Sequence, residues 1–213
     1  MVQPVSSCIV PSDHPRIANA YDRAVLLRRA ALAVAAGTGL AAFPDSARAG
    51  TIPDADVAYL RILVAAELLK GDFHHRALAT NKLGGAPLAV VRRSSSDDAA
   101  HYAALSTLMS AAAQPPTTAA DIDFTYPART FASRNSIVKL AEQLGTLTLG
   151  AYLGALENVQ TPQLRLPLAQ IAANEAQQLS ALASAVGRPP IGRAFAAALP
   201  IGDVSASLDR YES

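Results

Sequence analysis

Four stretches of this 213-residue chain, each longer than 20 residues, repeat apolar side chains at steps of three and four. That step is the period of an α-helix with one face turned to a core. The first stretch runs from about Asp54 to Thr80, between Pro53 and Gly84-Gly85, with Leu60, Leu63, Val64, Glu67 and Leu68 on one face. The second starts with Pro87 in its first turn and runs to about Ala112, lining up Val91, Ser94, Asp98, His101, Leu105 and Leu108. Gln114-Pro115-Pro116 stops it. The third spans about Ser136 to Leu156, with Ile137, Leu140, Ala141, Leu144, Leu147, Ala151 and Ala155 on its stripe. The fourth opens on Thr161-Pro162 as cap and first turn and ends near Val186, before Gly187 and Pro189-Pro190. Its internal Pro167 either kinks it or marks its true start. The tail holds a short apolar segment, Ala194 to Leu199, and a terminal turn near Ser205 to Tyr211.

Composition agrees with closely packed helices. Hydrophobic residues make up 51% of the chain, but aromatics only 5%, with no Trp. Ala, Leu, Val and Ile must fill the core, whereas a β-sandwich would call for more β-branched and aromatic side chains. Residues 113–134 show no period and exceed the usual loop length. In a bundle such a segment carries the chain to the opposite end before the third helix begins. The expectation is an all-α four-helix bundle over 53–186, with one long crossover between helices 2 and 3 and a tail over 187–213.

Residues 1–49 read as an export leader. Arg28-Arg29 precede an uncharged run from Ala30 to Phe43, and Ala47-Arg48-Ala49 supplies a cleavage site. The adjacent arginines suggest the twin-arginine route, with ordinary Sec export as the alternative. The apolar run is too short to span a bilayer, so no stable membrane span is expected after cleavage, and the mature chain would be periplasmic or extracellular. The only cysteine, Cys8, lies in the leader, so disulfides play no part. Five of the 18 Lys/Arg and three of the 17 Asp/Glu precede residue 50, leaving a net charge of −1 beyond it. That balance, without a basic stripe, argues against a nucleic-acid partner.

The residues that bear on function are polar groups on apolar stripes. A carboxylate facing a core is costly unless it is paired, hydrogen-bonded or metal-bound. Glu67 is such a group; its plainer reading is a stripe-edge carboxylate paired with Arg61, Lys70 or another base. Asp98 and His101 sit at i, i+3 and point the same way, unless Asp98 instead caps a helix start after Ser94-Ser95-Ser96. Glu175 and Gln178 repeat the spacing in phase with Leu168, Ile171, Leu179 and Leu182. His74 and His75 read as a solvated helix end favoured by the dipole.

The strings Asp56-Val57-Ala58-Tyr59-Leu60 through Glu67 to Phe73, Phe124-Thr125-Tyr126-Pro127, Leu149-Gly150-Ala151-Tyr152-Leu153-Gly154 and Ile171 to Gln178 resemble exported bacterial ferritin-like domain proteins, a family that includes the desiccation-related proteins. The resemblance implies a ferritin-like bundle. Its ligand scheme, in which two Glu-x-x-His helices alternate with two single-Glu helices, holds two iron or manganese ions. It also exposes departures. By spacing to Tyr152, the third-helix glutamate falls on Gly145, and Glu142, one turn earlier, is the nearest carboxylate. The second-helix glutamate is Asp98, shorter by roughly 1.5 Å of reach. The fourth-helix histidine is Gln178, a poor ligand for iron, manganese or zinc. The candidate metal-site residues are thus Glu67, Asp98, His101, Glu175 and Gln178, with Glu142 as a further candidate.

Three functions compete. One is a non-catalytic exported bundle, stress-related, with a hydrogen-bonded polar centre and no metal or a single weak one. The second is an iron- or manganese-dependent oxidase or peroxide-detoxifying protein using the same residues. The third is an interaction role in which Ala-rich faces pair two bundles into a homodimer. No Gly-rich phosphate loop, His-Glu-x-x-His or Gly-x-Ser-x-Gly motif is present.

Overall fold

A computed structural model describes residues 52–213; the expected leader lies outside the described residues. Among the described residues there are four long helices: α1 (Asp54–Ala79), α2 (Gly85–Ala111), α3 (Arg134–Asn158) and α4 (Pro162–Ala185). A short α5 (Ile201–Leu208) and a 3-10 turn (Asp209–Tyr211) complete the tail. α1 packs along α2 and α3 along α4, and the pairs α1/α3 and α2/α4 close an all-α four-helix bundle. No helix among the described residues is long and apolar enough to cross a membrane.

Local sequence explains the helix ends. Ser133 and Ser136 form a capping box that starts α3, so that helix begins two residues before the expected Ser136. Pro162 stands in the first turn of α4, where its missing N–H is no loss. Pro167 lies inside α4, which runs unbroken from Pro162 to Ala185. Thr161 makes no side-chain cap there. The two residues that lead into α4 are instead tied to α1: Asp56, fully buried in its first turn, accepts from Gln160 N at 2.9 Å and Thr161 N at 2.8 Å.

That contact fixes the topology. The starts of α1 and α4 lie together, so α1 runs antiparallel to both α2 and α3, and α2 and α3 are parallel. The chain between Ala111 and Arg134 must therefore travel the length of the bundle, which accounts for a connection longer than a compact domain normally carries. It is pinned to α1 as it passes. Phe131 stacks on Phe73 with ring centroids 5.8 Å apart, and Tyr126 meets Phe131 edge-on at 5.3 Å. The Tyr126 hydroxyl donates to Asp72 Oδ2 at 2.8 Å.

The tail is strapped across the bundle. Leu199 N donates to Gly150 O at 2.9 Å, α5 packs on α1 and α3, and Thr125 N donates to Tyr211 O at 2.7 Å. Gly150 and Gly154 make the notch: a Cβ on Gly150 would press into the Leu199 side chain, and one on Gly154 would overlap the Leu199 carbonyl oxygen. Gly154→Ala should therefore undock the tail. The overpacking cost of about 1–3 kcal/mol exceeds the gain of up to about 1 kcal/mol in helix propensity. Limited proteolysis should cut faster within 188–199, where Ile191 and Phe195 are already exposed, while helical circular dichroism stays close to wild type. An unchanged cleavage rate would count against the notch.

Candidate functional site

Each long helix of the bundle except α3 delivers an acid to its centre. Glu67 comes from α1, Asp98 with His101 from α2, and Glu175 from α4; all four are buried. One ligating atom from each lies within 4.8 Å of all the others, so these four groups could hold a metal ion. α3 contributes Tyr152, fully buried, whose hydroxyl donates to Glu67 Oε1 at 2.7 Å.

A fifth charged group occupies the same space. Lys70, only 2% exposed, follows Glu67 by one turn of α1. Its Nζ donates to Glu175 Oε1 at 2.6 Å and Oε2 at 2.5 Å. It also lies 2.9 Å from Asp98 Oδ1 and 4.0 Å from Glu67 Oε2. The Asp98 approach is an ion pair without hydrogen-bond alignment, and among the described residues Asp98 Oδ1 and Glu67 Oε2 have no hydrogen-bond partner. His74 then meets the other Asp98 oxygen, with Nδ1 2.7 Å from Oδ2. His101 Nδ1 stands 3.2 Å from Glu175 Oε1 and 3.4 Å from Glu67 Oε1.

His74 corrects an expectation. It is 5% exposed and bonded to Asp98, not a solvated helix end; His75 is the exposed member of the pair. Glu67, Lys70 and His74 follow one another at steps of three and four, so one face of α1 carries all three. Two further candidates make no hydrogen bond to the cluster, although Gln178 lines the same small cavity as Lys70 and His74. Gln178 is half-buried and donates to Asn174 Oδ1 of its own helix at 2.8 Å. Glu142 faces the tail, 2.6 Å from Arg188, and does not stand in for a ligand at Gly145. The space a side chain at Gly145 would need is held by Leu179, whose Cδ2 would lie 2.9 Å from an added Cβ.

Electrostatics follow from burial and pairing. Burial works to neutralise the Lys70 ammonium, but Glu67, Glu175 and Asp98 outweigh it and hold it charged above the ordinary lysine range. Burial raises Glu67, more than Lys70 and His101 lower it. Burial also works against the Asp98 carboxylate, yet the His74 bond and Lys70 keep it below the usual range. For His101, burial is overcome by the Glu175 and Glu67 carboxylates, which push it up to about 9. A folded value above the unfolded 6.5 means that His101 adds stability fully below pH 6.5 and loses it as pH rises toward about 9. Denaturant titrations should show stability falling across that window, with the fall reduced in His101→Gln. The same slope in both proteins would contradict the assignment.

The family model of the ferritin-like domain matches residues 55–188, more than half of the chain. The chain belongs to the ferritin-like family. Curated proteins yield no match to it. At the two positions where the resemblance expects further ligands, Gly145 offers no side chain and has Leu179 packed beside it, and Gln178 donates to Asn174. The remaining four groups suit one ion by donor chemistry, three carboxylates and an imidazole. Such an ion would need the position of the Lys70 ammonium, because metal–oxygen bonds near 2.0–2.2 Å leave no room beside a cation already 2.5–2.9 Å from the same carboxylates. With Lys70 in place the residues do not fit the ion. The cavity touching Lys70 and His74 measures about 20 Å³, enough for one water and too small for an organic substrate.

Proposed function

We propose that this chain is an exported ferritin-like bundle protein that carries out no di-metal redox chemistry, with its polar centre serving structure and its biological use lying in stress protection. The observation that carries this reading is Leu179 packed against Gly145, the position at which the family resemblance expects a third-helix ligand. A bridging carboxylate cannot be supplied from position 145 without moving Leu179, a half-buried leucine packed against the core. Export rests on the leader pattern and the stress role on the family resemblance, and a second copy of the chain is the expected partner.

Metal analysis tests the central point. Protein from an iron- and manganese-supplemented culture should hold far less than two ions per chain and should not accelerate oxygen or peroxide consumption. Two bound ions with turnover would overturn the reading in favour of an oxidase. Sequencing the secreted protein checks the leader, with Gly50 as the expected first residue, and light scattering checks for the homodimer.

A further inference from the structure

We propose that Lys70 is the resident cation of this bundle: its ammonium holds the place a divalent ion would take, and removing it opens a one-ion site made by Glu67, Asp98, His101 and Glu175. This rests on the reading above, that the two-ion centre has been lost, and adds what took its place.

Three buried carboxylates from three helices converge, and negative charge gathered there is costly unless a cation compensates it. Lys70 supplies it from within the chain. Its Nζ reaches both oxygens of Glu175 and one of Asp98, and the third carboxylate, Glu67, is 4.0 Å away. Those three acids, with His101, are the same groups whose donor atoms cluster within 4.8 Å. A lysine at a bundle surface would carry its charge to water along its flexible stem. Here the side chain is 3% exposed and its ammonium is turned to carboxylates, with room for no more than one water in the adjoining cavity of about 20 Å³. Glu67 Oε2 and Asp98 Oδ1 face the lysine at 4.0 and 2.9 Å without hydrogen-bond partners among the described residues, so its charge is what answers them. His74 holds Asp98 in orientation from behind, which is what an outer partner does for a metal-bound carboxylate. The bundle thus keeps the layout of an ion site while fixing the ion covalently to α1.

A metal bound only by the folded state raises its melting temperature, which gives a readout independent of any activity. Co²⁺ is the probe, since its visible absorption reports coordination. Wild-type protein should take up no stoichiometric Co²⁺ and melt at the same temperature with Co²⁺ or with chelator. Lys70→Ala should bind one Co²⁺ per chain, melt higher with it than without it, and lose both effects when Glu175→Ala is added. Lys70→Met, which keeps much of the stem and loses the charge, covers the case in which the shorter variant does not fold unaided; recovery of its fold by Co²⁺ supports the proposal. A full equivalent bound by wild type would overturn it. So would folded Lys70 variants that bind none, or failure of both variants to fold even with Co²⁺. These outcomes differ from two ions with turnover in native protein, which would instead sink the reading on which the proposal rests.

Discussion

Glu175→Ala should lower stability by about 3–5 kcal/mol, because it breaks a buried ion pair and leaves the partner charge uncompensated. Lys70 would lose its two shortest contacts, at 2.5 and 2.6 Å, and His101 its nearer carboxylate at 3.2 Å. In a domain of this size that loss corresponds to a drop in melting temperature of about 6–20 °C. Gln178→Ala is the control that makes the result informative. It lies three residues along the same helix, yet its amide bonds only to Asn174, so its removal should cost no more than about 1 kcal/mol. Thermal unfolding of both variants, without added metal, checks the pair. Equal losses would show that Gln178 belongs to the polar centre after all; a small loss for Glu175→Ala would show that the lysine finds another partner. The expected contrast does not imply that the ion pair is a net source of stability. Replacing the whole group by packed hydrophobic residues is often neutral or better, and only breaking it is severe.

Much of this was legible in the sequence, and the reason is periodicity. Helical phase alone places Glu67, Asp98, His101 and Glu175 inward, and Pro and Gly mark where each long helix stops. The crossover was legible as an aperiodic segment needing an explanation. What phase does not reveal is which neighbour a buried acid meets, since partners more than a hundred residues apart, such as Lys70 and Glu175, are set by packing. Lys70 follows Glu67 by three residues, so its inward direction could have been read, but lysine is so often a surface residue that it was weighed only as a partner for a stripe-edge carboxylate. The solvated reading of His74 fails for a related reason: two adjacent histidines near a helix end suggest solvent, although one of the two necessarily shares the Glu67 face. Gln178 shows the converse limit of phase. Its phase points to the stripe, but a side chain at the edge of a stripe can satisfy its amide on its own helix, and Asn174 four residues earlier offers that bond. Position 145 could be read as a missing ligand, yet the leucine that fills it comes from another helix and leaves no mark in the local sequence.

The other large effect is expected at Asp56, far from the polar centre. Its two oxygens accept the backbone amides of Gln160 and Thr161, 104 and 105 residues away, at the start of a helix that has no side-chain cap of its own. The carboxylate sits in the first turn of α1 and faces the first turn of α4, so the positive ends of two helix dipoles act on it together. Asp56→Ala removes both charge-assisted bonds and should cost about 2–4 kcal/mol, above an ordinary cap because the acceptor is ionised and fully buried. Asp56→Asn keeps one acceptor oxygen but not the charge and should fall between Ala and wild type. Burial works against the Asp56 carboxylate, but the Thr161 and Gln160 hydrogen bonds outweigh it and hold its folded pKa below the unfolded value of 3.8. A depressed folded value stabilises fully above the unfolded one and stops contributing as pH falls through the folded one. Wild type should therefore lose stability on acidification below about pH 4 more steeply than Asp56→Asn, which has no carboxylate to protonate there. Asp98 acts in the same direction and remains in both proteins, so the acid slope should be reduced in the variant and not abolished. Superimposable acid limbs for wild type and Asp56→Asn would show that this carboxylate does not link the starts of α1 and α4, and the parallel placement of α2 and α3 argued from that link would lose its support.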